Sequence, residues 1–236
     1  MVQQAYANSG EDMKYATSQH AVLTPMADGN GLYLLWKAAS APRYIKKMIV
    51  ALPDADSNAY KTFRFWHPLA EKYGYALLIP QWRSGAADPD ADMTTPSQLY
   101  ATTVAPMLIS QGVERGGALL YGRAKSALFA YGIAALDHRE GGGKFFGTVV
   151  ADDGSADFNE PVIRMINGGG LGRRVFENSQ WALYCSSDCK DMERTATWIL
   201  FNAGRVELMM EEPEKKGRAL RDDPERFEKR LAAFFK

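Results

Sequence analysis

Cysteine and histidine are scarce in this chain, at two and three residues of 236. Two cysteines build neither a Cys-rich zinc module nor a disulfide scaffold. Three histidines leave few bases of that type for acid–base chemistry. Net charge is absent too: 28 Lys+Arg balance 28 Asp+Glu. A general polyanion binder would carry a basic surplus, so no nucleic-acid partner is expected. Long apolar runs are missing. The longest stretches, such as Ala76–Pro80 and Ala118–Tyr121, are the length of buried strands and far short of the roughly 18 residues a membrane span needs. The N-terminus has no basic region followed by an apolar one, which predicts a cytoplasmic chain. Ala5-Tyr6-Ala7 resembles the small-residue end of a cleavage site, so export is the alternative.

What is present is ordinary globular usage, 46% hydrophobic and 24% charged, in a length that suits one large domain or two small ones. Residues 1–19 are polar and aperiodic and read as a flexible arm. Ala21–Met26 and Leu32–Ala38 flank a short Gly/Asn/Asp segment, the pattern of a hairpin. Lys47–Leu52 is a continuous apolar run, as in a strand buried on both faces. From there strand and helix alternate. Helix Tyr60–Tyr73, capped by Asp56, Ser57 or Asn58, ends at Gly74 before strand Tyr75–Pro80. A helix opened by Thr94 or Thr95 and Pro96 runs to about Gln111 and precedes strand Gly117–Tyr121. The turn Gly122–Lys125 leads into the Ala-rich helix Ser126–Asp137, then strand Phe145–Ala151. Strand Trp181–Cys185, helix Asp191–Asn202, strand Arg205–Met210 and a final amphipathic helix to Phe235 complete the chain.

Strands alternating with helices of 10–15 residues predict parallel βαβ units. The expected architecture is a three-layer α/β/α sandwich with a mostly parallel sheet and an antiparallel N-terminal hairpin. It forms a single domain over 20–236, in which 152–180, with its glycine cluster Gly168–Gly172, is a small cap or lid excursion. In such sheets function sits at the carboxyl ends of the strands. Pro53–Asn58, Gly122–Ser126, Asp152–Asp157 and Cys185–Lys190 should therefore converge, joined by the loop Glu211–Asp223.

Three stretches carry a family resemblance: MIVALPDADSNAYKTFRFWHPLAEKYGYALLIPQW (48–82), GALLYGRAKSALFAYGIAAL (117–136) and WALYCSSDCKDMERTATWILFNAGRVELMM (181–210). In order and spacing the chain resembles the α/β-hydrolases, nearest to small esterases and polyhydroxyalkanoate-depolymerase-like members. The resemblance implies a nucleophile elbow G-x-S-x-G. Here that place reads Gly122-Arg123-Ala124-Lys125-Ser126, with no hydroxyl at the nucleophile position. It implies His-Gly in the oxyanion loop, where this chain has Pro53-Asp54 and Asp56. A carboxylate there opposes the negative charge that must be stabilised, although the backbone N–H groups of Ala55 and Lys125 could still form a donor pair. It implies Y-G-x-x-D at the acid, which Tyr184-Cys185-Ser186-Ser187-Asp188 matches in its ends, a helix cap being the plainer role for Asp188. It implies a histidine after the last strand, and none occurs in 211–221, where Gly217-Arg218 stands instead. His20, His67 and His138 fall elsewhere and read as structural or exposed.

Other chemistry in the cleft is weaker. Asp54, Asp56, Asp152, Asp153, Asp157 and Asp188 come from separate turns without ligand-loop spacing, so caps and solvated turns are preferred to a Mg²⁺ or Ca²⁺ site. Arg123 and Lys125 are expected to pair with these carboxylates, holding an anionic ligand being the alternative. Ser126 as a displaced nucleophile lacks a base. Cys185 and Cys189 read as two reduced thiols, a bridge across their turn being geometrically open. The expected protein is thus a catalytically inactive hydrolase relative with no cofactor and no metal. It binds a small ligand or a protein partner through a cleft lined by Asp54, Ala55, Asp56, Arg123, Ala124, Lys125, Ser126, Asp152 and Asp188. No membrane partner is expected, and a homo-oligomer stays open. The alternatives are an ester hydrolase with a non-standard catalytic set and an interaction subunit whose cleft is filled.

Overall fold

The computed structural model describes residues 10–27, 29, 31–38, 46–54, 57–82, 95–186, 189–210 and 224–234. Eight strands form one sheet in the order β1-β2-β4-β3-β5-β6-β7-β8. They are β1 Val22–Pro25, β2 Leu32–Trp36, β3 Met48–Ala51, β4 Ala76–Gln81, β5 Ala118–Arg123, β6 Phe146–Asp152, β7 Gln180–Cys185 and β8 Arg205–Met210. β1 and β2 pair antiparallel, as do β2 and β4, and every later pairing is parallel. This is the mixed sheet that the opening hairpin and the later alternation predict.

The period-2 alternation of the strands divides their side chains between two cores. Ile49, Ala51, Leu119 and Tyr121 face one layer with α1 (Gly10–Ser18), α2 (Ala59–Tyr73) and α7 (Pro224–Leu231). Met48, Val50, Leu52 and Leu120 face the other with α3 (Pro96–Gln111), α4 (Lys125–His138), α5 (Pro161–Asn167) and α6 (Lys190–Phe201). All four residues of β3 are fully buried, which is why its sequence is apolar without alternation.

Local chemistry explains the helix bounds. Asn58 caps α2 by accepting from the Lys61 N–H, and Gly74 ends it at φ 72°, a left-handed conformation that glycine adopts without a Cβ penalty. Thr95 and Gln98 form a capping box on α3. The middle turn of α3, Tyr100–Val104, is a π-turn in which Ala105 N–H reaches back to Tyr100 C=O. Pro106 follows and has no N–H to continue the regular ladder, so the bulge absorbs the mismatch.

Three expectations need correction. The segment read as a flexible arm, 1–19, contains helix α1. Its own apolar signal is weak, and tertiary contacts hold it: Tyr15 hydroxyl to His67 Nδ1 at 2.9 Å, Arg64 to Asp12 at 3.0 Å, and Trp36 Nε1–H to Gln19 C=O at 2.9 Å. The excursion 152–180 is not a lid, because Val162, Ile163, Ile166, Leu171 and Phe176 are buried in the same core as the sheet. Cys185 and Cys189 form a disulfide, since the short turn after β7 brings its ends together.

Candidate functional site

Among the described residues, the segments that follow β3, β5, β6 and β7 meet around the carboxyl end of β5, and the expected fifth loop, Glu211–Asp223, lies outside them. β5 ends in Gly122-Arg123 and α4 starts at Lys125, so one residue must turn strand into helix. That residue is Ala124, at φ 46° and ψ −116°. A side chain rarely adopts this backbone region, because its Cβ crowds the adjoining peptide units. The turn is held by Ala124 N–H to Asp152 C=O at 2.8 Å and Ala127 N–H to Ala124 C=O at 3.2 Å. It is also tightly packed from behind. A Cβ on Gly122 would lie 2.6 Å from the Ser126 carbonyl oxygen and 2.8 Å from Ala127 Cα, both backbone atoms. The turn is therefore strained and closely packed, and it carries a methyl group at its apex.

Ser126 is misplaced in the expected cleft lining. Its side chain is fully buried beneath the turn, where its hydroxyl oxygen accepts from Arg123 N–H at 2.9 Å and its proton is shared between Arg123 C=O at 2.9 Å and Leu52 C=O at 3.3 Å. Small size and local backbone bonding fill this position. Asp152 is also fully buried and accepts the Tyr121 hydroxyl at 2.8 Å, which removes it from the cleft surface. Asp153, at φ 54°, accepts Ser186 N–H at 2.6 Å and the Ser186 hydroxyl at 2.7 Å, tying the end of β6 to the end of β7. The disulfide then ties β7 to the start of α6. Ala55, Asp56 and Asp188 lie outside the described residues. Lys125 is exposed at the first turn of α4. Among the described residues, no three of His, Cys, Asp and Glu gather as metal ligands would.

Asp54 and Arg123 are brought together, at 3.7 Å between Arg123 Nη1 and Asp54 Oδ2. They stand at one end of a cavity of about 600 Å³ between α2 and α7, whose walls include Leu52, Phe65, Trp66, Leu69, Tyr121 and Pro224. Trp66, Tyr121 and Phe227 pack edge to face behind it, with centroids 4.9 and 5.2 Å from Trp66. Glu228 also borders the cavity. Hydrogen bonds from Lys72 and Tyr73 hold its carboxyl below the usual range. On α2 this wall is built by Phe65, Trp66 and Leu69, of which Trp66 and Leu69 also belong to the core with Phe63 and Ala70.

The histidines stand away from the turn. His20 is exposed. His67 is buried against Tyr15, Trp36 and Phe63, and burial holds its pKa below the usual value while Glu71 opposes the shift. His138 ends α4 and bonds Phe146 C=O at 2.7 Å, at the opposite end of the strands. Beside it Asp137 accepts the Tyr100 hydroxyl at 2.8 Å and Phe146 N–H at 2.9 Å, and burial raises its pKa.

Neither family models nor curated protein sequences yield a match to this chain. Solved structures do. A phospholipase/carboxylesterase from Dyadobacter fermentans is similar at a TM-score of 0.57 and 12% identity, over 81% of this chain and 95% of that one. A fungal esterase from Rhizomucor miehei is similar at 0.60 and 11%, over 98% and 91%. A post-proline cleaving enzyme from Rickettsia typhi reaches 0.65 at 11%, over 91% of this chain and 36% of that one. The chain has the α/β-hydrolase fold. Within it, Ala124 occupies the turn between the fifth strand and the following helix. At these identities the likeness carries the architecture alone.

Proposed function

We propose that this chain is a catalytically inactive hydrolase relative that binds a small molecule beside the former elbow. One observation carries the reading: the nucleophile turn keeps its strained backbone at Ala124, while the side chain cannot attack a carbonyl or form an acyl intermediate. The absence of histidine from 211–221 supports it independently, because a serine restored at the elbow would find no base in the loop after β8. The open cavity next to Asp54 and Arg123 favours a ligand binder over an interaction subunit with a filled cleft.

The hydrolase alternative rests on Ser126, whose hydroxyl is buried and bonded to backbone. Both readings meet in one experiment. Purified protein is treated with a fluorophosphonate probe and with short p-nitrophenyl esters. The expected result is neither labelling nor turnover above buffer. Labelling that disappears in Ser126→Ala would establish the hydrolase instead.

The disulfide supports a second element of the proposal, an oxidising compartment in place of the cytoplasm. No helix among the described residues is long and apolar enough to cross a membrane.

A further inference from the structure

We propose that the cavity between α2 and α7 takes a small amphipathic carboxylate, its head held by Arg123 and its apolar body laid against Leu52, Phe65, Trp66 and Leu69. This rests on the reading of the chain as a ligand binder and names the class of ligand.

The head group follows from Arg123. A guanidinium keeps its charge at any physiological pH, so its donors must be met by acceptors. Arg123 lies mostly out of solvent, with a side chain 20% exposed. Its contact with Asp54 is 3.7 Å, longer than a hydrogen bond. Its Nε–H is shielded from solvent and meets no acceptor among the described residues. A buried donor left in this state is destabilising and calls for a partner. The two Nη groups of a guanidinium present further N–H donors, of the kind that a carboxylate accepts.

The neighbouring charges leave this role to Arg123. Arg64, also on the cavity, is paired with Asp12 at 3.0 Å. Glu228 is engaged by Lys72 and Tyr73. Lys61 and Glu225 are exposed and therefore solvated. The rest of the wall is aliphatic or aromatic, and about 600 Å³ accommodates a body the size of a medium-chain acyl group.

The test is isothermal titration of the full chain with decanoate, 1-decanol and n-decylamine, each below its aggregation concentration. Decanoate is expected to bind at one site and more tightly than the other two. Arg123→Met, which keeps most of the side chain's length, should weaken decanoate roughly tenfold to hundredfold and leave decanol unchanged, as expected for loss of a charge-assisted pair. Leu69→Trp, which fills the cavity without touching the head-group site, should abolish binding of decanoate and decanol alike. Circular dichroism verifies that both variants are folded. Equal binding of all three probes, or an unaltered decanoate affinity in Arg123→Met, would overturn the carboxylate assignment while leaving a ligand-binding cavity. No binding of any probe would overturn the cavity as a site for this class. Ester turnover by the wild-type chain would instead overturn the underlying reading of an inactive relative.

Discussion

Replacing Ala124 by glycine should stabilise this protein, against the usual direction of an alanine-to-glycine change. At φ 46° and ψ −116° the alanine sits in a region that costs on the order of 1–3 kcal/mol for a residue with a Cβ. Glycine removes that cost. Against this stands the greater freedom that glycine gives the unfolded chain, worth about 0.4–1 kcal/mol. The methyl group is only half-buried, so little packing is lost. The balance is a gain of about 1 kcal/mol. Unfolding entropy near 2.1 cal/mol/K per residue over 236 residues makes that roughly a 2 °C rise in Tm. Urea titration and calorimetry on the same preparations measure both quantities. An ordinary alanine in a helix or strand would lose about 0.5–1 kcal/mol on the same change, so the sign alone decides. A loss of that size in Ala124→Gly would show that residue 124 does not occupy a nucleophile turn, and the reading of an emptied elbow would fall with it.

Other outcomes can be checked in parallel. Ala124→Ser should remain without ester turnover, because no histidine occurs in 211–221 to take its proton; hydrolysis above the wild-type background would place the triad elsewhere. Gly122→Ala should cost several kcal/mol in urea titration, since its Cβ would fall 2.6 Å from a backbone oxygen that cannot move aside cheaply; a loss under 1 kcal/mol would disprove the tight packing behind the elbow. Intact mass spectrometry after thiol alkylation under denaturing, non-reducing conditions should find no free cysteine. Cys185→Ser/Cys189→Ser should lower stability by about 2 kcal/mol, the loop-closure value for so short a ring. Two alkylated thiols in native protein would remove the argument for an oxidising compartment. Finally, stability should fall as pH drops below about 6.5. Burial lowers the pKa of His67 in the folded state, so the unfolded chain takes up its proton first and the folded state is disfavoured as pH falls toward the lowered value. His67→Gln, which can still meet the Tyr15 hydroxyl, should flatten that part of the pH dependence. An unchanged slope would assign it to other groups.

Much of this protein was legible along the chain because its signals are local. Met48–Ala51 reads as a doubly buried strand from its own residues, Asn58 and Gly74 mark the ends of α2, and Gly122–Lys125 reads as a turn between strand and helix. The absent histidine is likewise a one-dimensional fact. Helix α1 was not legible, because Gly10–Ser18 has no strong apolar stripe and owes its place to Tyr15 meeting His67 fifty-two residues away. Nor was the burial of Ser126 and Asp152, whose polar side chains suggest exposure until their partners at Arg123, Leu52 and Tyr121 are known.

The amino-acid order by itself determined the alternation of strand and helix, the turn at Ala124 and the lack of histidine in 211–221. Periodicity, capping and residue identity act within a few positions of each other and need no folded context. Only the tertiary structure decided that the cavity opens between α2 and α7, that Arg123 meets Asp54 without a full hydrogen bond, and that Cys185 and Cys189 are joined. A cavity is the space left when elements from distant parts of the chain pack together. Its position depends on the summed shapes of their side chains, which no single stretch of sequence contains.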